Sequence, residues 1–204
     1  MALRPPPGRA GRIWLERRLD VARRGADVLD QKRRSLLALQ RELDGQRAAA
    51  RADWRSAALA AHQELGRALG LAGYRHVELA VLHTGEDAEA VVDWRNRLGV
   101  MVPELRSIDP GGRADPASLG GSAAISTAAS AHRHALRCAA RYAAVSEAYG
   151  RVTVELGVTA RRVRAIERRW VPEHEAARAR LGLALEEAER EDGARARWQR
   201  ARRE

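Results

Sequence analysis

The sequence predicts a mainly α protein, in which two long helices form an antiparallel coiled coil with a small β-hairpin-containing insert at the far end. Apolar residues recur at heptad spacing over two long stretches, one in each half of the chain. Aromatic residues make up only 4% of the chain and phenylalanine is absent, a composition typical of long helices and coiled coils. Glycines and short alternating apolar runs between the two stretches indicate the insert.

The first long helix is predicted by a heptad repeat that runs from Leu15 to Ala61. Steps of four and three residues give fourteen positions, of which eleven are apolar, and a repeat sustained this long is typical of a coiled coil. At 1.5 Å per residue the segment would be about 70 Å long. We therefore assign a flexible N-terminus to residues 1–12 and the N-terminal long helix to residues 13–70.

A compact insert with a short β-hairpin and a loop is predicted over residues 71–117. The run Val77–Leu82 alternates loosely and suits a short strand, and Leu98–Val102 suits a second strand that Pro103 would close. An insert that returns the chain should pair the flanking helices antiparallel. Turn and loop compositions are found at residues 84–87 and 109–121.

The C-terminal long helix of the coiled coil is predicted over residues 118–204. A second heptad repeat runs from Tyr149 to Trp170, after which its phase slips by an extra step of four residues. Such a stutter locally unwinds a supercoil. Pro172 lies at the same point, and its ring tends to kink a helix. Two independent observations thus predict an interruption there.

Charge and composition exclude several classes of protein. The chain carries a net charge of +10, with basic ends and an acidic middle, so the ends and the middle should face different surroundings. No apolar run approaches the roughly 20 residues of a transmembrane helix, and the N-terminus lacks the apolar region of a secretory signal. The single cysteine excludes an internal disulfide, so a reducing cytoplasm is the expected location.

No catalytic, cofactor or metal site is predicted. Lys32 is the only lysine and has no glycine-rich loop around it, which excludes a phosphate-binding loop. None of the six histidines forms an i, i+4 pair with another histidine, so they are interpreted as solvated or packing residues. Cys138 lies in an alanine-rich helix and is interpreted as a small buried residue. The chain is therefore not expected to be an enzyme in its own right.

Arginines and tryptophans are the candidates for partner contact. Arginine clusters on both predicted helices could form a cationic collar for an anionic surface, or they could be solvated faces with i, i+4 acidic partners. Trp54 and Trp170 fall on the heptad repeats, which favours packing within the coil. Trp14 and Trp198 lie near the free ends and are better candidates for partner contact. The arginine clusters are Arg17–Arg18, Arg23–Arg24, Lys32–Arg34, Arg161–Arg162, Arg164 and Arg168–Arg169.

Three segments, residues 15–33, 97–105 and 161–172, together resemble the D subunit, the central rotor shaft of V-type and A/V-type ATPases and ATP synthases. Leu15–Arg33 is similar to that family's opening, with Gly25, Leu29 and the Lys32-Arg33 pair in register. Arg97–Leu105 is similar to the family segment I-M-G-V-x-V-P-E-I. Arg161–Glu167 followed by Val171-Pro172 is similar to R-R-V-N-A-L-E … V-I-P-R-L, although Glu173 and His174 depart from it. The order and spacing match from about Leu15 to Arg197.

The resemblance implies a non-catalytic shaft that rotates inside the hexamer of A and B subunits and couples ATP synthesis or hydrolysis to ion translocation. It also implies that the insert binds the F subunit and a further subunit that leads to the membrane ring, and that the chain is peripheral on the inner face of the cell membrane. No cofactor is implied. The expected hexamer contacts are Trp14, Arg17, Arg18, Arg24, Arg168, Arg169, Pro172, Arg197 and Trp198. The expected contacts with the F subunit or the lower stalk are Val77, Leu79, Val81, Leu98, Val100, Val102 and Glu104.

A different class of function remains open from charge and helix pattern alone. A basic coiled-coil protein that binds nucleic acid, or a scaffold with unrelated partners, would share both features. The acidic central insert favours the shaft, because free-standing nucleic-acid binding would not require it.

Overall fold

The computed structural model describes residues 5–82, 87–111 and 122–203. Long helices pack against each other and a two-stranded antiparallel sheet lies between them in the chain, which confirms the predicted fold class. Within the described ranges, no helix has the length and apolarity needed to cross a membrane. The elements in order are α1 (Gly8–Ala72), α2 (Tyr74–Leu82), β1 (Glu89–Arg97), β2 (Val100–Asp109), α3 (Ala123–Ala165), a π-helical turn (Ile166–Trp170) and α4 (Val171–Ala201).

The first of two compact units contains Met1–Arg34 and Gly157–Glu204; we call it unit 1. Its helices run antiparallel, because Arg9 pairs with Glu189 at 2.8 Å whereas Arg23, further along α1, pairs with Glu175 at 2.6 Å. Burial of every third or fourth residue holds the helices together, as expected for an amphipathic pair. Its buried residues include Leu15, Leu19, Ala26, Val163, His174 and Ala177.

The second unit contains Ser35–Leu156 and carries the sheet; we call it unit 2. One core cluster joins α1, β2 and α3 through leucines, valines and an alanine, and a smaller one joins α1, α2 and α3. A stacked pair, Trp54 on α1 and Tyr142 on α3, has its ring centroids 5.5 Å apart, so Trp54 packs within the helix pair as the heptad repeat predicts. The larger cluster comprises Leu36, Leu39, Leu43, Val100, Val102, Ala148 and Val152, and the smaller one Ala68, Ala80, Ile125 and Ala128.

The sheet is a β-hairpin with a tight turn and one bulge. The turn residues Leu98 and Gly99 both have positive φ, 57° and 82°, which is the backbone of the turn type that matches strand twist. The pairing register changes between Val91 and Val92, because these neighbours face Ser107 and Leu105. Arg106 is therefore an extra residue on β2, as in a β-bulge.

Three expectations for the insert are wrong. Leu98 and Gly99, predicted to begin the second strand, form the hairpin turn, and β2 begins at Val100. Val77–Leu82, predicted as a strand, belongs to helix α2; Val77 and Ala80 are three residues apart and both pack in the smaller core cluster, a helical spacing. Pro103 does not end a strand, since β2 continues through it to Asp109 and Pro103 faces Trp94. Each strand of a two-stranded sheet is an edge strand, where proline is tolerated.

The interruption predicted near Pro172 takes the form of the π-helical turn. Val171 donates its backbone N–H to the carbonyl of Ile166, five residues earlier. Proline cannot donate to the carbonyl four residues before it, and its ring crowds that carbonyl, here that of Arg168. A widened turn directly before Pro172 removes both problems.

The predicted domain boundaries stay a prediction. Helix α1 begins at Gly8, inside the segment assigned to a flexible N-terminus, and α3 begins at Ala123. The two compact units also divide the chain differently from the predicted helix–insert–helix order. Most of the predicted 84–87 turn and of the 109–121 loop lies outside the described residues.

Candidate functional site: surfaces of the two units

An aromatic and cationic cluster lies on unit 1. The guanidinium carbon of Arg18 is 4.6 Å from the ring centroid of Trp14 and 5.7 Å from that of Trp170, distances at which a cation is attracted to a ring face. We call these three residues the Trp–Arg cluster. It borders a shallow cavity of about 410 Å³ whose lining includes Val21 and Ile166.

Local helix geometry assembles the cluster. Trp14 and Arg18 are four residues apart on α1, so they lie on one face beside the buried Leu15 and Leu19. Trp170, the last residue of the π-helical turn, stacks on His174 with ring centroids 3.4 Å apart. The heptad interpretation of Trp170 is thus incomplete, because its ring contacts Arg18 as well as its own helix.

His174 is the only fully buried histidine among the described residues, with 1% of its surface exposed. Its Nδ1 lies 2.8 Å from the carbonyl oxygen of Trp170 and must donate the hydrogen, because a carbonyl can only accept. Its Nε2 has no hydrogen-bond partner in the described part of the chain. His174 is therefore a packing residue that holds the Trp170 ring, as the interpretation of the histidines predicts.

The structure sorts the arginines of the predicted cationic collar into two groups. Arg33 and Arg34 both bind the carboxylate of Asp30, each at 2.7 Å, and Arg23 binds Glu175. These arginines therefore agree with the interpretation of a solvated helix face whose cations have acidic partners. In contrast, among the described residues Arg17, Arg24 and Arg168 are exposed and have no ion pair.

The surroundings of Asp30 shift the pKa of its carboxylate. Its hydrogen bond to Arg33 lowers its pKa below the usual value, and the charges of Arg33 and Arg34 act in the same direction. On the same unit, the hydrogen bond to Glu189 raises the pKa of Arg9 above its usual value. Asp30 is therefore ionised at neutral pH, and its carboxylate fixes two of the cations of α1.

The remaining predicted hexamer contacts are not part of the cluster. Arg169 pairs with Glu173 at 3.2 Å and Pro172 is exposed beside it. Trp198 is 62% exposed, and its ring is covered by Arg202 at 4.4 Å. Arg197 is exposed on the same helix. Of the nine predicted residues, the structure brings together only Trp14, Arg17 and Arg18, and it adds Trp170.

The predicted contacts of the insert have different exposures. Val100 and Val102 are buried in the larger core cluster, and Val77 is half-buried against the smaller one. Leu79, Val81 and Leu98 are at least 45% exposed. Glu104 is exposed and pairs with Arg95 across the hairpin at 2.9 Å. The three packed valines thus offer little surface to a partner, and the contact itself stays a prediction.

Unit 2 also has a groove of about 530 Å³ between β2 and the helices, which the sequence pattern did not indicate. Arg106, Arg137 and Arg141 line it. The i, i+4 spacing of Arg137 and Arg141 is visible in the sequence and could have identified them as one helix face. Arg106 could not have been identified, because only the pairing register shows that it is bulged.

The cysteine and the histidines form no metal site in the described residues. Cys138 is half-buried, with its Sγ 3.8 Å from Nε2 of His134. No group of three histidine, cysteine, aspartate or glutamate side chains suited to a metal ion occurs within residues 5–82, 87–111 and 122–203.

Comparison with known proteins identifies the class to which these paired helices belong. The family of ATP synthase D subunits matches residues 12–201. The D subunit of the A-type ATP synthase of Halobacterium salinarum is 31% identical over 189 residues, which cover 91% of this chain and 84% of the relative. The D subunit of the V-type ATP synthase of Anaeromyxobacter sp. is 32% identical over 206 residues, which cover 98% of this chain and 94% of the relative.

The chain belongs to the family of ATP synthase D subunits. It is a subunit of an A-type or V-type ATP synthase, and the resemblance seen in the sequence is confirmed.

Proposed function

We propose that the chain is the non-catalytic central shaft of its ATP synthase and couples ATP synthesis or hydrolysis to ion translocation by rotating inside the hexamer of A and B subunits. The observation that carries this proposal is the antiparallel pairing of long helices in a member of the D-subunit family. A shaft must transmit torque, and paired helices resist twisting better than a single one does because they are packed along a common apolar face.

The surface proposed to face the hexamer is centred on the Trp–Arg cluster. Tryptophan and arginine are the residues that most often dominate the binding energy of protein interfaces. Arg17 and Arg18 supply positive charge beside an apolar cavity. A rotating shaft must leave each catalytic interface in turn, and exposed charges give contacts that are specific but individually weak.

The hairpin and α2 are proposed to contact the F subunit and the further subunit that leads to the membrane ring. The exposed apolar residues of α2 support this proposal, since Val81 and Leu82 are 63% and 75% exposed. Large apolar side chains exposed on a helix are candidates for contact with a partner. Through these partners the chain would be peripheral on the inner face of the membrane.

The rotor proposal is tested by watching the chain turn in the assembled complex. Cys138→Ser removes the native thiol and Glu89→Cys places a single thiol at the exposed start of β1. A bead is attached to this thiol, and the complex is immobilised through its A and B subunits. We expect the bead to rotate in one direction when ATP is supplied. As the control, a bead attached to one of the B subunits should stay still.

A bead that stays fixed while the same complex hydrolyses ATP would contradict the proposal.

Ion transport into vesicles that contain the complete complex measures the coupling of ATP hydrolysis to ion movement. We expect ATP-driven transport to require this chain, whereas ATP hydrolysis by the A and B subunits continues without it. Transport that persists in its absence would also contradict the assigned role.

A further inference from the structure

The outer edge of β2 in unit 2 is open. Seven consecutive residues of β2, Val102–Ile108, line the groove beside it. Successive side chains of a strand point to opposite faces, so side chains on one face alone could not give a consecutive lining. The backbone edge of β2 that faces away from β1 must therefore border the groove. Of β1 only Arg97 contributes, and the opposite wall consists of α1 and α3. In the described residues no third strand pairs with this edge.

Three arginines line the groove, and two of them have no carboxylate partner in the described part of the chain. Arg137 and Arg141 are exposed on α3, one turn apart, and neither forms an ion pair or a hydrogen bond within the described chain. Arg106 enters as the bulged residue of β2, and its closest carboxylate oxygen, on Asp93, is 4.0 Å away. Bulges redirect a side chain at functional positions.

The carboxylates that line the groove are already occupied. Glu42 pairs with Arg97 at 3.2 Å and Glu104 pairs with Arg95 at 2.9 Å. These pairs leave Arg137 and Arg141 without a carboxylate partner among the described residues, and Arg106 has only its 4.0 Å pair with Asp93. Between the charges the lining is apolar and half-buried, through Leu105, Ile108, Ala144 and Val145.

We propose that this groove binds an extended, acidic segment of another protein, which adds to the outer edge of β2 as a third strand. Strand addition gives affinity through main-chain hydrogen bonds. Its specificity comes from the residues around the edge, which contact every second side chain of the added segment. Side chains of the segment that point one way meet Arg106, Arg137 and Arg141 and should be carboxylates. Those that point the other way meet Leu105 and Ile108 and should be apolar. The proposal does not depend on the rotor role.

The first experiment measures binding of a short synthetic peptide to the full-length chain. The peptide alternates glutamate and valine, has blocked ends and carries a fluorophore for anisotropy. We expect the double variant Arg137→Ala/Arg141→Ala to bind it about twofold to thirtyfold more weakly, the range for two exposed charge pairs. The matched control is Arg51→Ala/Arg55→Ala, which removes two exposed arginines of the same spacing on α1 and should bind like the wild type.

The second experiment tests the strand geometry with backbone N-methylation. Methylating the peptide amides that face β2 should abolish binding, and methylating the alternate amides should leave it unchanged, because only every second amide of an added strand donates to the edge. Circular dichroism checks that the variants keep their helix content.

Several outcomes would overturn the proposal. Failure of the wild-type chain to bind the acidic peptide is one, and equal binding by the Arg137/Arg141 variant is another. Equal loss with both methylation patterns would exclude a third strand. Displacement of the peptide by inorganic triphosphate at similar concentrations would identify a site for small anions rather than for a protein segment.

Discussion

At the scale of single residues, the arginines separate into those that organise the chain and those left for partners. Arg33 and Arg34 both form ion pairs with Asp30, so each has an acidic partner within unit 1. Arg18 makes no ion pair within the described chain, and its guanidinium lies over the faces of two tryptophans. A guanidinium against an aromatic ring keeps its hydrogen-bond donors free for a carboxylate of another protein.

The Asp30 carboxylate makes stability depend on pH in a defined direction. Because its folded pKa lies below the unfolded value, ionised Asp30 stabilises the fold above about pH 3.9, and this contribution is lost as the pH falls through the lower folded pKa. We expect Asp30→Asn to melt at a lower temperature than the wild type near neutral pH. The gap in melting temperature should close as the pH falls below the unfolded value.

Thermal unfolding followed by circular dichroism over a pH series measures this gap. Asp27→Asn is the matched control, since Asp27 is an exposed carboxylate on the same helix and has no ion pair among the described residues. Its melting temperature should track that of the wild type at every pH. A constant gap for Asp30→Asn would mean that the carboxylate does not stabilise the fold through its charge.

Sequence reasoning identified part of the candidate surface and could not have identified the rest. Trp14 stood out because it lies near a free end of the chain. Trp170 was assigned to packing because it falls on a heptad position. The sequence does not show the π-helical turn, which places the Trp170 ring near Arg18. The burial of Val100 and Val102 was not foreseen, since a two-stranded hairpin does not reveal in sequence which face packs on helices.

At the scale of elements, the π-helical turn and Pro172 together make one interruption of the long C-terminal helix. The turn widens directly ahead of the proline, and α4 resumes with the proline in its first turn, where a missing N–H costs nothing. Such turns are often found at functional positions. Here it places Trp170 next to Arg18 and buries His174 behind it.

Replacing Pro172 with alanine should let the turn return to α geometry, because the new N–H can bond to the carbonyl of Arg168. We expect the complex to assemble as before but to show altered ATP turnover or altered coupling of turnover to ion transport. Both are measured on the reconstituted complex in vesicles. Val171→Ala keeps the backbone donors as they are and should behave like the wild type. Unchanged turnover and coupling in Pro172→Ala would contradict a mechanical role for the turn.

The elements predicted best were those with the longest repeats. The heptad repeat of α1 predicted a helix because it is sustained over many turns. The short run Val77–Leu82 was assigned wrongly, since a short, mostly apolar run fits a strand or a buried helix equally well. Strand β1 was missed because its sequence, with Asp93 and Asn96, has little strand preference. It forms through pairing with β2.

At the scale of the whole molecule, the charge pattern of the sequence agrees with the proposed division of roles. The ends of the chain are basic and the middle is acidic. Most of the ion pairs seen in the described residues lie within single helices and are exposed, so they contribute little to stability. The net charge of +10 is better understood as a determinant of association with anionic partners than of folding.

The double variant Arg17→Ala/Arg18→Ala should bind the hexamer of A and B subunits about tenfold more weakly, because it removes two charges and the cation–ring contacts. Binding is measured by titrating the purified hexamer with labelled chain at fixed salt. The control Arg178→Ala/Arg180→Ala removes the same charge from exposed positions on α4 of the same unit. Equal weakening in both variants would show that overall charge, and not the Trp–Arg cluster, determines the affinity.

The extra residue in β2 changes which side chains share a side of the hairpin. Leu105 and Ile108 are three residues apart, so in a regular strand they would point in opposite directions. Because Arg106 is skipped in the pairing, Leu105 faces Val92 and Ile108 faces Ala90, and both lie on one side. The bulge thus shifts the alternation of side chains along β2 by one residue. Deleting Arg106 would keep these pairings, so Leu105 and Ile108 would still share a side, now in a strand of regular alternation.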